Sequence, residues 1–314
     1  MSRDNELSSA SLRYYPFVSI IVPVYNASIT LSLCLESILK LDYPSDRHEL
    51  IVVDNGSKDE TPEIAQKFGA RVLYETSKQS SYAARNKGII EAKGQLLAFT
   101  DSDCVVTPGW LKHLIQYWDD TSIGCFAGEV EAYKPETLLE KFADRSGILR
   151  QNVTLKCPYL PYTQTANSAY RSEVFEKIGL FNAELVSGGD ADISWRMQRE
   201  MGLQIKFIPD ALVYHKHRAN LKDLFRQFKK YEYGKLLWKR YYPDYKLPPL
   251  RKRVIDVVKA SAFALAILPF NLSKYTRKQI DIVDLASPFF RVVMAFGTLS
   301  ARIRKTTALN KDNL

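Results

Sequence analysis

The sequence predicts an α/β fold in which a mostly parallel sheet is flanked by helices. Short apolar runs alternate along the chain with segments of helical periodicity, the pattern of repeated strand–helix–strand units. The run 96–100 carries no charge, as expected of a strand buried on both faces of a parallel sheet. Ligands of such sheets bind where the strands end. We therefore expect the polar residues that follow these strands to form the functional site.

The first hundred residues are predicted to form four strands with a helix between each consecutive pair. Runs rich in β-branched and apolar residues predict strands at 17–24, 49–54, 71–74 and 96–100. Helices are predicted between them: one opened by residues 25–28 and running to 41, one after the turn 54–61, and one at 80–92 before Gly94. Crossovers of this kind join parallel neighbours.

The second half of the body continues with a less regular pattern. Strands are predicted at 122–132, 165–171 and 203–209, and residues 213–217 are expected to close the domain. Helices are predicted at 136–150, at 172–178 and from about residue 190, where two glycines precede the first turn.

Charge divides the chain unevenly. The net charge of the 314 residues is +9, but residues from 215 onward contain 22 Lys/Arg against 7 Asp/Glu, which leaves 22 against 28 before them. A mildly acidic body with a strongly basic tail indicates an anionic partner for the tail, either nucleic acid or a membrane surface. We predict a polar extension at 1–16, a catalytic domain at 17–217 and a basic helical region at 218–314.

The cysteines and the first residues of the sequence favour a cytoplasmic location. The four cysteines are scattered without a Cys-x-x-Cys pair, which excludes a disulfide framework and a zinc ribbon and suits a reducing cytoplasm. The opening residues lack an apolar core, so we do not expect a signal peptide.

The tail combines basic and apolar residues at helical spacing. Residues 221–228 have apolar side chains at i, i+3, i+4 and i+7 with lysines and arginines between them. This composition fits an interfacial membrane helix, and it fits equally a helix packed on the catalytic body. The uncharged run 260–270 and the segment 289–299 are shorter than the roughly 20 residues that cross a bilayer. We expect these helices to lie on the membrane or to dimerise.

Two carboxylates follow the fourth predicted strand. Asp101 and Asp103 are one residue apart in a turn, and a divalent cation bound through oxygen would relieve their repulsion. The alternative is a polar turn with a helix cap. Neither Gly-x-Gly-x-x-Gly nor a Walker loop follows the first strand, which argues against a hydride-transfer enzyme and a P-loop ATPase. Instead, Tyr25 could stack on a base, or it could simply pack against its neighbours. Asp54 could accept a hydrogen bond from a base N–H or a ribose hydroxyl, or it could cap the next helix.

Four motifs in this order resemble those of family-2 glycosyltransferases. They are Val22-Pro23-Val24-Tyr25-Asn26, Val53-Asp54-Asn55-Gly56-Ser57 with Thr61, Ala84-Arg85-Asn86-Lys87-Gly88, and Asp101-Ser102-Asp103. The resemblance covers about residues 17–217. It implies the A-type, nucleotide-sugar-binding Rossmann-like glycosyltransferase fold and a reaction that inverts the anomeric centre.

The resemblance also assigns roles to single residues. It implies that the nucleoside is framed by Pro23, Tyr25, Asn26 and Asp54. Arg85 is then expected near the base or diphosphate, Asp101 near the ribose or sugar, and Asp103 on Mg²⁺ or Mn²⁺. A histidine after the last strand joins the metal or diphosphate in related enzymes, which makes His215 the first candidate and His217 the second.

The catalytic base is expected where the helix near residue 190 begins. In the family this place carries the Asp of a Glu-Asp pair, which implies Asp190 as the base, although Gly189 stands where the Glu would be. Asp192 is expected to serve the helix dipole or a supporting role. Lys78 and Arg196 are basic residues that we leave outside the site.

The predicted reaction moves a sugar from a nucleoside-diphosphate sugar to a hydroxyl of a glycan or lipid-linked saccharide, with metal assistance and Asp190 as general base. The enzyme would be cytoplasmic, peripheral on the inner face of an anionic membrane and open to homo-oligomer formation, with no nucleic acid expected. Two alternatives stay open. One is a sugar-1-phosphate nucleotidyltransferase, although no glycine-rich, arginine-containing loop follows the first strand. The other is a non-catalytic binding protein with a basic tail.

Overall fold

The computed structural model describes residues 14–309, and their side chains through residue 303. The predicted extension 1–16 therefore lies almost entirely outside the described residues. Eight strands form one sheet: β1 (Val18–Val24), β2 (His48–Asp54), β3 (Arg71–Tyr74), β4 (Leu96–Thr100), β5 (Cys104–Val106), β6 (Ile123–Ala132), β7 (Asn167–Arg171) and β8 (Gln204–His215). Strands β1 to β4 coincide with the predicted ones to within a residue.

The sheet is mixed, with its parallel half at the N-terminal side. The strand order is β3-β2-β1-β4-β7-β6-β8-β5. Strands β1 to β4 are mutually parallel, and β6 is parallel to β8. Strand β7 runs antiparallel to both β4 and β6, and β5 antiparallel to β8. The strand–helix alternation thus predicted the first half correctly, whereas β7 reverses the direction at the centre.

Helices cover both faces of the sheet. Those of the body are α1 (Leu31–Leu39), α2 (Thr61–Lys67), α3 (Ser81–Glu91), α4 (Trp110–Leu114), α5 (Leu138–Arg145), α6 (Gln151–Thr154), α7 (Ser172–Ile178) and α8 (Gly189–Arg196). Three long helices follow: α9 (Leu221–Tyr241), α10 (Leu250–Thr276) and α11 (Ile282–Leu309).

Alternate residues of the central strands feed two hydrophobic cores. In β1, Ile20 and Val22 join the core beneath α1 and α4, whereas Ile21 joins the core beneath α3 and α8. All three are fully buried. This double burial explains why the strand reads as an uninterrupted apolar run rather than as alternating polar and apolar residues.

Two predicted helices have different limits in the structure. The helix expected from residues 25–28 begins at Leu31, because Asn26 has a left-handed backbone (φ 46°) that a helix cannot include. The N–H of Ala27 instead binds Thr61 Oγ1 at 2.8 Å. The helix predicted at 136–150 runs only from Leu138 to Arg145, since Gly147 (φ 66°) and Leu149 (φ 70°) both have left-handed backbones.

The last predicted strand is longer than expected. Residues 203–209 and 213–217 were predicted as separate segments, but β8 runs through both to His215. Its pairing with β6 jumps from Ile208 to Leu212, so Pro209 lies in a bulge where its missing N–H costs no ladder hydrogen bond. Strand β5 and helix α4 were not predicted, because three and five residues are too few to show a period.

Helix α9 packs on the catalytic body. Leu224, Gly234 and Trp238 are buried against it, as expected of a helix that packs on the catalytic body. A Cβ at Gly234 would lie 2.5 Å from the carbonyl oxygen of Ser187, so this glycine permits the close approach of the helix to the body.

A buried carboxylate joins the three C-terminal helices. Glu232 of α9 is 1% exposed and accepts hydrogen bonds from Arg253 of α10 at 2.9 Å and from Arg302 of α11 at 2.7 Å. Lys235 lies 3.8 Å from the same carboxylate. Desolvated charges of this kind are costly unless paired, and here the pairing holds α10 and α11 against α9.

The expectation that the apolar tail segments are too short to span a bilayer is wrong for the helices that contain them. Helices Leu250–Thr276 and Ile282–Ile303 contain windows with mean hydropathy of 1.6 and 1.5, of which 11% and 17% are buried. Both are long and apolar enough to cross a membrane. Asp256 and Lys259, the two charged residues within this apolar stretch, are both part of the continuous helix α10, and Asp256 pairs there with Arg253.

Candidate active site

The two carboxylates after β4 occupy different surroundings. Asp101 Oδ1 accepts a hydrogen bond from the guanidinium of Arg85 at 2.5 Å, and Arg85 itself is 3% exposed on α3. Asp103 lies two residues further on, directly before β5. Its Oδ1 is 3.3 Å from Nε2 of His215, and Arg218 Nη1 is 3.9 Å from its Oδ2. The turn therefore directs one carboxylate toward an arginine and the other toward a histidine.

Sheet pairing brings His215 to Asp103. Strand β5 pairs with the end of β8, with Cys104 opposite His215, so the residue before Cys104 lies beside the histidine. Donor atoms of Asp103, Cys104 and His215 lie within 4.8 Å of one another. His217 is also buried, and burial together with the charge of His215 lowers its pKa to about 4.

This pair fits a divalent cation. Neighbouring ligands of an octahedral ion at about 2.1 Å are separated by about 3 Å, close to the 3.3 Å between Asp103 Oδ1 and His215 Nε2. A carboxylate and an imidazole suit Mn²⁺. The Cys104 thiol is completely buried in the hydrophobic core and is a soft donor, so it contributes little to a site for a hard cation.

Asp190 lies at the start of α8 and lines the same cavity as Asp101. Its Oδ1 accepts a hydrogen bond from Thr165 Oγ1 at 3.3 Å. Loss of hydration raises its pKa above the ordinary value of 3.8; the cation of Arg85 opposes that rise and the anion of Asp101 adds to it. A carboxyl group with a raised pKa accepts a proton more readily than an exposed aspartate.

The aromatic ring of Tyr82 explains the glycine before Asp190. A Cβ at position 189 would lie 2.8 Å from ring atoms Cε1 and Cζ of Tyr82, and Tyr82 is itself buried. The glutamate of the family's usual pair therefore has no room unless the ring moves. Gly188 has a left-handed backbone (φ 83°), and its surroundings are filled by Trp238.

We predict that Gly189→Ala lowers the free energy of unfolding by about 1–3 kcal/mol, the usual cost of forcing extra volume into a packed site. Urea denaturation measures this change. Gly109→Ala is the matched control, because the Cβ there meets the ring of His113, a partly exposed side chain, rather than a buried ring. Equal stability of the wild type and Gly189→Ala would show that Tyr82 yields to the new methyl group.

Helix α9 supports the segment that carries Asp190. Trp238 Nε1 donates a hydrogen bond to the carbonyl of Gly188 at 2.9 Å. Tyr242 donates one to Asp192 Oδ1 at 2.7 Å, and Arg196 binds Asp192 Oδ2. Asp192 is thus a buried structural acid, in keeping with the supporting role expected for it. Sequence reasoning missed Trp238 and Tyr242, since nothing local relates them to a residue 50 positions earlier.

The residues expected to frame the nucleoside lie at the ends of β1 and β2. Tyr25 is 48% exposed, and Pro23 is partly buried. Asn26 joins the two loops: its N–H binds Ser57 Oγ at 2.9 Å and its Oδ1 accepts the Lys58 N–H. Both Asp54 oxygens accept N–H groups of the following turn, from Gly56 and Ser57. Asp54 therefore does not cap the next helix, the alternative considered for it, because that helix begins only at Thr61.

A cavity of about 760 Å³ brings four of the nine predicted residues together: Arg85, Asp101, Asp190 and His215. Asp103 does not line the cavity, but its Oδ1 lies 3.3 Å from Nε2 of His215, which does. The four nucleoside candidates do not line it and form a separate stretch of the same sheet edge. Of the residues left outside the site, Lys78 pairs with Glu184 on the surface, in agreement with its exclusion. Residues of α9, from Arg226 to Trp238, form the cavity wall that sequence reasoning did not foresee.

Comparison with known proteins shows which family this chain belongs to. Residues 19–179 match the family model described as Glycosyl transferase family 2. The chain belongs to this family. Glycosyltransferase AglE of Haloferax volcanii is 34% identical over 228 residues, which are 68% of this chain and 71% of that protein. The pre-mycofactocin glycosyltransferase of Mycobacterium tuberculosis is 28% identical over 66% of this chain and 44% of its own length.

Solved structures show the same fold. The mannosyltransferase PcManGT from Pyrobaculum calidifontis, in complex with GDP-Man and Mn²⁺, has a TM-score of 0.63 at 20% identity and covers 91% of this chain and 88% of its own. Residues 1–349 of S. aureus TarS, in complex with UDP-GlcNAc, have a TM-score of 0.52 at 19% identity over 92% of both chains. The chain is therefore a glycosyltransferase with the A-type fold, and the nucleotidyltransferase and binding-protein alternatives fall away.

Proposed function

We propose that this glycosyltransferase moves a sugar from a nucleoside-diphosphate sugar to an acceptor hydroxyl with inversion, using Asp190 as general base. The observation that carries the proposal is that Asp190 and His215 line one cavity, with Asp103 directly behind His215. A proton acceptor and a residue of the proposed cation site thus line the same cavity. This is the arrangement that a single displacement at the anomeric carbon requires.

In the proposed reaction, one bond forms and one breaks at the anomeric carbon, and one proton moves to Asp190. The acceptor oxygen forms a bond to the anomeric carbon while the bond from that carbon to the diphosphate oxygen breaks. The hydroxyl proton passes to the Asp190 carboxylate, and the nucleoside diphosphate leaves with the electron pair. Asp190 is suited to this step because loss of hydration raises its pKa, which makes the carboxylate a better proton acceptor than an exposed aspartate.

Asp103 and His215 would hold Mn²⁺ or Mg²⁺. A divalent cation supplies positive charge that stabilises the developing diphosphate anion. Arg218, which lies 3.9 Å from Asp103, is placed to contact the same phosphates. Arg85 donates a hydrogen bond to Asp101 and would hold this carboxylate oriented toward the ribose or sugar.

The nucleoside would bind at the ends of β1 and β2. Tyr25 is exposed and offers a ring for stacking on the base. Asn26 and Asp54 hold the two loops in register through hydrogen bonds to backbone groups. We include Pro23 because it lies next to the last residue of β1, beside Tyr25 and Asn26 in the sequence.

The C-terminal helices would bring the enzyme to a membrane. Helices α10 and α11 expose large apolar side chains, among them Phe263, Leu265 and Phe270 of α10, beside Lys259 and Lys274. Apolar surface bordered by lysines suits a bilayer that contains anionic lipids. We accordingly place the enzyme on the inner face of the cell membrane, where it would glycosylate a glycan or lipid-linked acceptor.

A panel of UDP-, GDP- and dTDP-sugars tests the reaction class. We expect one donor to be hydrolysed or transferred with Mn²⁺, turnover to cease with EDTA, and NMR of the product to show the inverted anomer. Failure of every donor in the presence of Mn²⁺ would overturn the proposed donor class. A product that retains the donor configuration would overturn the single displacement.

A further inference from the structure

Helix α11 is attached to the catalytic body along most of its length. At its start, Arg145 of α5 lies 3.0 Å from Asp284. Further along, a Cβ at Gly297 would lie 2.6 Å from a backbone carbonyl oxygen of α9. Near its end, Arg302 donates a hydrogen bond to Glu232 of α9 at 2.7 Å. From the first of these contacts to the last, the helix extends about 27 Å.

This attachment is incompatible with a helix that crosses a bilayer. The hydrocarbon core of a bilayer is about 30 Å thick, so a crossing α11 would carry the attached side of the body into it. Helix α9 runs beside α11, and charged side chains in the hydrocarbon are costly. The basic residues of α9 are Lys222, Arg226, Lys229, Lys230, Lys235, Lys239 and Arg240. On a membrane, α11 therefore lies along the surface.

Helix α10 lies beside α11 and has one side turned toward the body. Its start is bound to the same buried carboxylate as the end of α11, because Arg253 donates a hydrogen bond to Glu232 at 2.9 Å. A groove of about 890 Å³ separates α10 from the end of α5, where Arg145 lines it. The side chains of α10 in this groove recur every three or four residues, which places them on one face of the helix: Lys259, Phe263, Ile267, Phe270 and Lys274.

The sides of both helices that face away from the body are apolar. On α10, the side opposite the groove is exposed and consists of Val254, Val258, Ala262, Leu265, Pro269 and Leu272. On α11, the side away from its contacts with the body is partly or fully exposed and consists of Ile282, Leu285, Phe289, Val292, Phe296 and Leu299. No charged residue interrupts either row. The two helices thus present one apolar surface to their surroundings.

The groove behind this surface keeps an excess of positive charge after its ion pairs are counted. Four basic side chains line it, and the carboxylates paired with them are Asp281 and Asp284, both on Arg145. Within the part of the chain whose side chains the structure describes, Lys259, Lys274 and Arg291 form no ion pair. Asp256, one turn before Lys259, pairs with Arg253 at 3.2 Å. Four positive charges against two negative ones leave an excess of two.

We propose that α10 and α11 lie flat in one leaflet of an anionic membrane. The apolar surface would contact the hydrocarbon, and Lys259, Lys274 and Arg291 would lie at the level of the lipid phosphates. Apolar surface bordered by cations suits phospholipids with a net negative headgroup. The inference rests on the membrane contact proposed above and names its geometry and its partner. The body and the loop between the two helices would lie on the same side of the membrane.

Cysteine labelling tests the side on which the loop lies. Arg277→Cys, after the end of α10, and Lys40→Cys, an exposed position on the body, are each made in a full chain whose Cys157 is replaced with serine. We expect a membrane-impermeant maleimide to label both cysteines equally in inverted membrane vesicles from the expressing cells, without detergent. Labelling of Arg277→Cys only after detergent would show that the hairpin crosses the bilayer and would overturn the proposal.

Vesicle flotation tests the choice of lipid. We expect phosphatidylglycerol in phosphatidylcholine vesicles to strengthen binding, and the triple variant Lys259→Gln/Lys274→Gln/Arg291→Gln to lose about 100-fold in affinity for the anionic vesicles alone. The matched control is a triple exchange of exposed lysines on the body to glutamine, at Lys67, Lys93 and Lys177. It should bind like the wild type, and circular dichroism checks that both variants are folded. Equal losses in the two triple variants would overturn the placement of the groove at the phosphates.

Leu265→Asn tests the apolar surface. It should weaken binding to neutral and anionic vesicles alike by about tenfold, the effect of exposing a buried leucine to water. If the chain is a dimer without lipid and Leu265→Asn separates it, the surface belongs to a second copy and the proposal is overturned. Absence of binding to any vesicle would overturn the membrane contact itself. Neither labelling nor flotation involves sugar transfer, so the proposed reaction is tested separately by the donor panel.

Discussion

Replacing Asp190 with asparagine is expected to lower kcat by about 10²- to 10⁴-fold, the usual contribution of a general base, and to leave donor binding intact. The amide keeps the shape of the carboxylate and its contact with Thr165 but cannot accept the hydroxyl proton. Steady-state transfer and donor affinity, measured on the same preparation, separate the two effects. A comparable loss of donor affinity would assign Asp190 to donor binding instead.

Asp210→Asn provides the matched control, since Asp210 is an exposed acid on β8 outside the cavity. It should transfer sugar at the wild-type rate. A similar loss in both variants would show that removal of a negative charge, rather than of a base, is responsible.

The pH dependence follows from the raised pKa of Asp190. The base acts only when it is ionised, so kcat/KM should fall as pH is lowered through a value above the ordinary 3.8. A carboxyl group whose pKa is raised by folding stabilises the fold while protonated, and that contribution is lost as pH rises through the raised pKa. At pH 7, Asp190→Asn should therefore melt at the wild-type temperature or above.

Replacing Asp103 with alanine is expected to lower kcat/KM by about 100-fold or more, because a bound divalent cation supplies several kcal/mol of charge stabilisation. His215→Ala should raise the Mn²⁺ concentration needed for half-maximal activity. The measurement is a Mn²⁺ titration of transfer activity, started from protein treated with EDTA.

His217→Ala and His113→Ala are the controls for this titration. His217 is buried beside His215, whereas His113 lies on α4, away from Asp103. If His217→Ala shifts the Mn²⁺ dependence and His215→Ala does not, the metal ligand is His217 rather than His215. Wild-type activity that EDTA leaves unchanged would rule out a catalytic role for the cation.

The sequence determined those parts of the fold that depend on local pattern. Strands β1 to β4 and helix α7 follow from short apolar runs and turn residues, and their positions were predicted to within a residue. The same runs placed Asp54 and Asp101 at strand ends, where parallel neighbours bring side chains together. The order of the four motifs was enough to predict the family, and the comparisons with known proteins confirmed it.

Only the tertiary structure decided what surrounds those carboxylates. Asp103 meets His215 because three residues of β5 pair with the end of β8, a contact between positions more than a hundred residues apart. Gly189 is explained by the ring of Tyr82 from another helix. The amphipathic period of α9 shows that one face is buried, but packing alone shows that the helix lies on the body and lines the cavity that contains Asp190. Local periodicity specifies helices and strands, whereas a site is built from contacts that depend on how all of them pack.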